Sequence, residues 1–142
     1  MIRAIEMRDE DAWRRLFRAY GRFYETELTD AVLEKVWALL LQRDSGIDGL
    51  VSELDGTVVG FAHYRCHPAT FTGGYDWYLD DLFVSLEARG AGHATALIEH
   101  LAALAGSGGT LRWVTAADNA QAQRVYDRIA TRTTWVTYEK QL

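Results

Sequence analysis

The chain has 142 residues, which suits one domain with a single hydrophobic core. Its composition, 49% hydrophobic with one proline, is that of a folded globular protein and excludes a disordered one. The net charge of −5 argues against general nucleic-acid binding, which needs a basic face, and the single cysteine excludes an intrachain disulfide or a cysteine-based metal cluster.

The same overview gives expectations about location and organisation. No apolar run reaches the roughly 20 residues that span a bilayer, and residues 1–6 lack the apolar core of a signal peptide. We therefore expect a cytoplasmic location and no membrane partner. No repeat or linker divides the sequence, so we expect a single domain over residues 1–142.

The first half of the chain predicts a strand followed by two helices. Residues 2–6 have the pattern of a short strand. Apolar residues recur at helical spacing over residues 10–24, and Asp9 can cap this helix. A second amphipathic helix is predicted from Thr29 or Asp30 to about residue 45.

The pattern then changes to strands. Residues 50–54 and 57–66 are strand-like, and Asp55-Gly56 between them is a strong signal for a two-residue hairpin turn. A third strand is predicted over residues 76–84. A helix follows and stops at Gly106, and then come a strand at 111–115, a helix at 119–130 and a last strand at 135–139. This β-α-α-β-β-β-α-β-α-β order predicts an α/β (α+β) protein with a mixed sheet and helices on its faces.

A glycine-bearing loop lies between the third of these strands and the helix after it. Gly90 and Gly92 allow a tight turn and leave room near the backbone, and the N–H groups at the start of the helix can bind phosphate. Arg89 can add a charge-assisted contact. A P-loop is excluded because His93 follows instead of lysine, and Thr95 replaces the third glycine of a dinucleotide-binding loop. The alternative interpretation is that the two glycines are present only to form the turn.

Two motifs stand out: Arg89-Gly-Ala-Gly92-His-Ala94 after the strand Tyr78-Leu-Asp-Asp-Leu-Phe-Val84, and Asp118-Asn119-Ala120 with Ala122 and Tyr126 on the helix that follows. With these motifs and the order of its elements, the chain resembles the GNAT superfamily of N-acetyltransferases, and the first motif is similar to the family's acetyl-CoA motif. The Tyr-Leu-acidic-Asp sequence of the strand, preceded by Val59-Gly-Phe-Ala-His-Tyr64, looks most similar to the diamine (spermidine/spermine-type) branch. The resemblance implies the GNAT fold, with a mostly antiparallel sheet and helices on both of its faces.

The resemblance further implies acetyl-CoA as the acyl donor and direct acetyl transfer to a primary amine. The pyrophosphate is expected at N–H groups between Arg89 and Thr95, and the oxyanion at backbone N–H groups of the splayed strand. Asn119 is expected near the pantetheine arm or the sulfur. The implied cofactor-binding residues are Leu82, Phe83, Val84, Arg89, Gly90, Ala91, Gly92, His93, Ala94, Thr95, Asn119, Ala122 and Tyr126.

Two residues are the catalytic candidates. Tyr126 matches the family's general acid, which protonates the leaving sulfur; the alternative is a core aromatic residue. Asp80 matches the position of an acidic residue in diamine enzymes and is the candidate base, directly or through water; a solvated or ion-paired carboxylate is the alternative. Asp81 is expected on the other face of the strand, in a structural role.

The acceptor pocket is expected between the first two helices and the loop around residues 67–75. Charged and aromatic side chains there suit a cationic amine. The candidate acceptor-binding residues are Tyr24, Glu25, Tyr75, Asp76 and Asp80. No histidine pair has metal-ligand spacing, so no metal is expected, and Cys66 is expected to be a buried thiol.

Two alternatives to a small-molecule acetyltransferase remain open. One is a non-catalytic acyl-CoA-binding regulatory module, against which the joint presence of Asn119 and Tyr126 argues. The other is an acetyltransferase that acts on proteins or peptides. Relatives of the diamine branch commonly dimerise, so the resemblance also implies a homodimer.

Overall fold

Five strands form one sheet in the order in which they occur along the chain. The computed structural model describes residues 1–142. The strands are β1 (Ile2–Ala4), β2 (Asp48–Leu54), β3 (Thr57–Pro68), β4 (Tyr75–Val84) and β5 (Leu111–Arg112). The neighbouring pairs β1–β2, β2–β3 and β3–β4 are antiparallel, whereas β5 pairs with β4 in parallel. The prediction of a mixed, mostly antiparallel sheet is confirmed.

Four helices cover the two faces of this sheet. They are α1 (Glu10–Phe23), α2 (Asp30–Leu41), α3 (His93–Ala105) and α4 (Ala120–Ile129), with single 3₁₀ turns at Met7–Asp9 and Leu86–Ala88. Because strand side chains alternate between faces, neighbouring residues such as Phe61 and Ala62 enter different cores. One core packs α1 and α2 on the sheet, and the other packs α3 and α4 on the opposite face.

The helix ends show how the local sequence acts. Thr29 caps α2 by accepting a hydrogen bond from the N–H of Val32 at 3.3 Å, as predicted. The helix stops at Leu41, earlier than predicted, because Gln42 is already extended. Asp9 precedes α1, but its carboxylate accepts hydrogen bonds from Arg3 and does not cap the helix, so that part of the prediction was wrong.

An irregularity in β4 changes which way its two aspartates point. His63 lies opposite Asp81 but Tyr64 lies opposite Leu79, so Asp80 is an extra residue without a partner on β3. Asp81 contacts His63 and Asp80 contacts Arg65, and these two β3 residues lie on the same face of their strand. The expectation that Asp81 occupies the other face was therefore wrong, because a bulge breaks the two-residue alternation.

The parallel pair at the sheet edge is shorter than predicted. Only Leu111 and Arg112 pair with β4, opposite Trp77 and Tyr78, although the sequence predicted a strand to residue 115. The chain then leaves the sheet. This edge of β4 has no strand partner beyond Tyr78.

The predicted final strand is absent. Residues 131–142 have no regular structure, and Trp135 and Tyr138 are 84% and 91% exposed. A strand needs a partner backbone, and no strand of this chain lies beside the segment. The expected β-α-α-β-β-β-α-β-α order is confirmed up to α4, and its last element is wrong for the chain by itself.

Two further observations concern single features. Cys66 is exposed near the end of β3, so the expectation of a buried thiol was wrong. None of the helices combines the length and apolar character that crossing a membrane requires.

Candidate active site

A cavity of about 340 Å³ opens where β4 and β5 part. Its walls come from the end of α1, the second half of β4, the glycine loop, the start of α3, the segment after β5, and α4. A βαβ-like edge where parallel strands separate is a common place for ligands because it leaves backbone groups without strand partners.

The glycine loop supplies one end of this cavity. Gly90 and Gly92 have φ values of +83° and +84°, and a Cβ at either position would project into open space. No side chain caps α3, and the first helical hydrogen bond near its start runs from the N–H of Ala96 to the carbonyl of Gly92 at 2.9 Å. The N–H groups of residues 93–95 therefore precede the helical ladder, at the positive end of the helix dipole. This arrangement suits a phosphate.

Side chains next to this turn are held away from its open side. The Nδ1 of His93 is hydrogen-bonded to the hydroxyl of Ser52 on β2. The Nε of Arg89 donates to the carbonyl oxygen of Val84 at 3.1 Å, and its guanidinium lies over the rings of Phe23 and Phe83. The backbone of the turn therefore remains accessible, while Arg89 stays at the cavity wall.

The splayed part of β4 supplies unpaired backbone groups. Leu82, Phe83 and Val84 line the cavity and lie beyond the last residue that pairs with β5. Successive N–H groups of a strand point to opposite edges, so part of this backbone faces the open edge. Such donors can stabilise negative charge on a thioester oxygen.

Tyr126 reaches the cavity from α4. The side chain of Asn119 begins this helix by accepting a hydrogen bond from the N–H of Ala122 at 3.2 Å, as expected of a cap. The ring of Tyr126 packs edge-on against Trp113, with 5.4 Å between ring centroids. Burial, and secondarily the neighbouring Tyr24, raises the pKa of Tyr126 above its ordinary value. The phenol therefore holds its proton at neutral pH, as a general acid must.

An acidic pair lies on β4 beside the cavity, and Asp80 is the member of the pair that lines it. The Oδ2 of Asp80 accepts a hydrogen bond from the Nε of Arg65 at 2.8 Å, which raises the pKa of that guanidinium. The Oδ2 of Asp81 lies 2.9 Å from the Nδ1 of His63. Tyr20 lines the cavity, and its pKa is raised first by burial and then by the negative charge of Asp81. The pair gives this wall an affinity for cations.

The structure brings most of the predicted site residues together. Every residue of the expected cofactor-binding set except Ala91 lines the cavity. Tyr24 and Asp80 also line it, whereas Glu25, Tyr75 and Asp76 do not. Asp76 instead accepts hydrogen bonds from Arg112 and from the N–H of Thr110, which lower its pKa and help to hold β5 on β4.

Several cavity residues were missed by sequence reasoning. They are Trp113, Val114 and Thr115 after β5, and Gln121, Val125 and Arg128 on α4. The first three were predicted to be strand residues, and nothing in their side chains signals that the chain leaves the sheet at Arg112. On α4, Gln121, Val125 and Arg128 recur at spacings of four and three, and Val125 lies three residues from Ala122, so this helical spacing was a usable signal.

The chemistry of the cavity fits acetyl-CoA. The turn at residues 90–95 suits the pyrophosphate, and the unpaired edge of β4 suits an extended amide-bearing arm. Tyr126 lines the same cavity from α4. No group of three histidine, cysteine, aspartate or glutamate side chains is arranged to hold a metal ion.

Comparison with known proteins identifies the family. The sequence model of the Acetyltransferase (GNAT) family matches residues 10–130. The chain belongs to the GNAT family. A D-amino-acid N-acetyltransferase of Saccharomyces cerevisiae is 31% identical over 144 residues, covering 99% of this chain and 89% of that protein. The chain is therefore an acetyltransferase, and the family uses acetyl-CoA.

Solved GNAT structures share the whole fold. A ribosomal-protein-alanine N-acetyltransferase from Brucella melitensis has a TM-score of 0.82 and 25% identity, with 100% of this chain and 98% of that chain covered. AAC(6')-Iy bound to a CoA-S-monomethyl-acetylneamine bisubstrate analogue has a TM-score of 0.82 at 20% identity, covering 100% and 97%. At that identity, the second likeness shows the fold alone.

Proposed function

We propose that this GNAT protein transfers acetyl from acetyl-CoA to the primary amine of a small molecule by direct attack. One observation carries the proposal. The uncapped start of α3, the protonated Tyr126 and the acidic wall of β4 converge on a single cavity. Each supplies a group that this reaction needs, so the site is suited to catalysis as well as to binding.

Deprotonation of the acceptor is the first requirement. An alkyl ammonium has a pKa of about 10 and must lose its proton before nitrogen attacks. We assign the base to Asp80, which lines the cavity. Its Oδ2 is engaged by Arg65, which leaves Oδ1 to take the proton directly or through one water.

Attack of the amine on the thioester and release of CoA use the backbone of β4 and the side chain of Tyr126. The amine lone pair forms the N–C bond at the thioester carbonyl, whose oxygen takes up negative charge near the N–H groups of Leu82, Phe83 or Val84. The C–S bond then breaks, and Tyr126 donates its phenolic proton to the leaving sulfur. The nitrogen, which became cationic when the N–C bond formed, loses its second proton to solvent and so becomes a neutral amide. Asp80 releases its proton to solvent and Tyr126 takes one back from solvent, which closes the cycle with a net release of one proton.

The acceptor we propose is a small cationic amine. The acidic pair supports this because it places negative charge beside Tyr20 and Tyr24 at the cavity wall. The yeast relative acts on D-amino acids according to its name, and such substrates carry an ammonium group like that of a polyamine. The acidic wall suits both amine types, and the diamine-branch assignment remains part of the proposal.

The test is release of CoA from acetyl-CoA with a panel of amines. The panel contains D-amino acids, L-amino acids, polyamines, aminoglycosides and lysine-bearing peptides. We expect turnover with at least one small amine and little with the peptides. Tight acetyl-CoA binding without turnover of any member would instead identify a non-catalytic binding module, and turnover of peptides alone would identify a protein acetyltransferase.

We also propose that the protein is a homodimer that exchanges its C-terminal segments. Residues 131–142 lie exposed, with Trp135, Val136 and Tyr138 uncovered, and the outer edge of β5 has no partner. The segment has a strand-forming sequence but no strand beside it in its own chain. A second copy carries the same segment and the same open edge, so reciprocal pairing covers both features in both chains.

A further inference from the structure

A hydrogen-bonded chain of side chains runs from Trp13 on α1 through His63 to Asp81, next to the cavity residue Asp80. The indole Nε1 of Trp13 lies 2.8 Å from the Nε2 of His63, and both residues are 0% exposed. The other ring nitrogen of His63, Nδ1, lies 2.9 Å from the Oδ2 of Asp81. No step of the proposed reaction uses this buried histidine.

The chemistry of these partners fixes the proton on the histidine ring. An indole N–H donates only, so Nε2 of His63 must be the unprotonated acceptor. The ring proton therefore lies on Nδ1 and is donated to the carboxylate of Asp81. His63 is thus held as a neutral donor that orients Asp81 without cancelling its charge.

Asp81 differs from Asp80 in its surroundings. Asp80 is paired with the guanidinium of Arg65, whereas the groups facing Asp81 are His63 from β3, Tyr20 from α1 and Tyr24 directly after α1. None of these three carries a positive charge in the arrangement described. The side chain of Asp81 is 24% exposed and lies beside Tyr20, which lines the cavity, so its negative charge stands next to the cavity without a cationic partner.

We infer that His63, fixed by Trp13, is a positioning residue that aims Asp81 as the anchor for the ammonium group of the acceptor. The inference rests on the proposed function. In this arrangement Asp81 binds the ammonium group of the acceptor and Asp80 removes a proton from it, so the two carboxylates have different roles. The bulge in β4 makes this possible because it turns both side chains to one face.

Two substitutions of the histidine separate positioning from packing. In His63→Asn the amide nitrogen falls near the place of Nδ1 and keeps a donor for Asp81. In His63→Gln the amide falls near the place of Nε2, which keeps a partner for Trp13 and removes the donor to Asp81. Both variants lose the ring, so each controls for the lost packing in the other.

The readout is steady-state kinetics with the amine that the wild type turns over best. We expect His63→Gln and Asp81→Asn to raise KM for the amine about 10-fold or more, the size of one charge-assisted hydrogen bond. We expect His63→Asn to stay within about three-fold of the wild type, and Kd for acetyl-CoA to stay unchanged in all three. Equal KM values for the two histidine variants would overturn the inference.

Two further measurements cover the remaining outcomes. Asp81→Asn alters a partly exposed side chain, and a wild-type KM in this variant overturns the inference even if neither histidine variant folds. Nitrogen NMR of the wild type must show a proton on Nδ1 and none on Nε2 of His63, and the opposite tautomer overturns it without any turnover. Absence of turnover by the wild type contradicts the proposed function and is seen before any variant is made.

Discussion

The hydroxyl of Ser52 lies 2.8 Å from the Nδ1 of His93, the first residue of α3. Ser52 is fully buried on β2, so this contact ties the start of the helix to the centre of the sheet. It also draws the histidine side chain away from the open side of the turn. The backbone N–H groups at the start of α3 are thereby presented on a fixed support, which is what an anion site requires.

The open space above the turn gives the first prediction. In Gly92→Ala, the new Cβ adds left-handed backbone strain of about 1 kcal/mol and occupies open space beside the cavity that Gly92 lines. Gly46→Ala is the matched control, because Gly46 also has a positive φ and open space around a Cβ, but lies outside the cavity. We expect denaturant unfolding to show that the two variants lose similar amounts of stability. Calorimetry should show at least about 10-fold weaker acetyl-CoA binding in Gly92→Ala alone; equal affinities would contradict the phosphate assignment.

The second prediction concerns the leaving group. Tyr126→Phe removes the proposed proton donor and keeps the ring against Trp113. We expect kcat to fall about 100-fold, the lower end for general acid catalysis, since a thiolate is a tolerable leaving group. The free energy of unfolding and the Kd for acetyl-CoA should stay near the wild type. Tyr75→Phe, on an exposed residue outside the cavity, is the control; an unchanged kcat in Tyr126→Phe would remove Tyr126 from this role.

The same residue predicts the alkaline side of the pH profile. Burial raises the pKa of Tyr126, so the acid form of the phenol persists to higher pH than in a free tyrosine. Loss of this proton should therefore depress kcat only at a pH above the ordinary pKa of a free tyrosine. A profile of kcat at saturating substrates checks this. A fall in wild-type kcat at lower pH that disappears in Tyr126→Phe would contradict the direction of the shift.

The sequence predicted the parts of the site that local rules determine. Gly90, Gly92 and the cap Asn119 have short-range signatures, and each was found in the expected conformation. The bulge at Asp80 could not be predicted, because the alternation of side chains gives no sign of one extra residue on β4. The pairings of His63 with Asp81 and of Ser52 with His93 join residues 18 and 41 positions apart, and only the tertiary fold sets them.

The segment at 135–139 shows a different limit. Its sequence has strand-forming character, but strand formation depends on a neighbour that the chain by itself does not provide. Under the exchange proposal, the local preference and the exposed conformation agree, because the partner backbone belongs to a second copy. The prediction was then wrong for the monomer and informative about the assembly.

The exchange proposal yields a prediction about mass. We expect the wild type to sediment at twice the 16.0 kDa of the chain. The double substitution of Trp135 and Tyr138 by aspartate should give a monomer, because it places charge on the segment that pairs with β5. Phe71→Asp is the matched control, since Phe71 is also fully exposed but lies in the loop before β4. A monomeric wild type, or a double variant that still dimerises, would contradict the exchange.

The last prediction concerns stability and pH at the edge of the sheet. Asp9 is buried and binds both terminal nitrogens of Arg3, at 2.7 and 2.8 Å, and these bonds lower the pKa of Asp9 below its usual value. A carboxyl whose pKa is lower in the folded state stabilises the fold above its unfolded pKa, and this contribution is lost as pH falls through the folded pKa.

We expect Asp9→Asn to lower the free energy of unfolding by about 3 kcal/mol at pH 7, because Arg3 loses a partner. In urea titrations the difference from the wild type should stay constant above about pH 5 and shrink below about pH 4, whereas the exposed control Asp11→Asn should show neither effect. A difference that is independent of pH would show that Arg3 does not act on Asp9 through its charge.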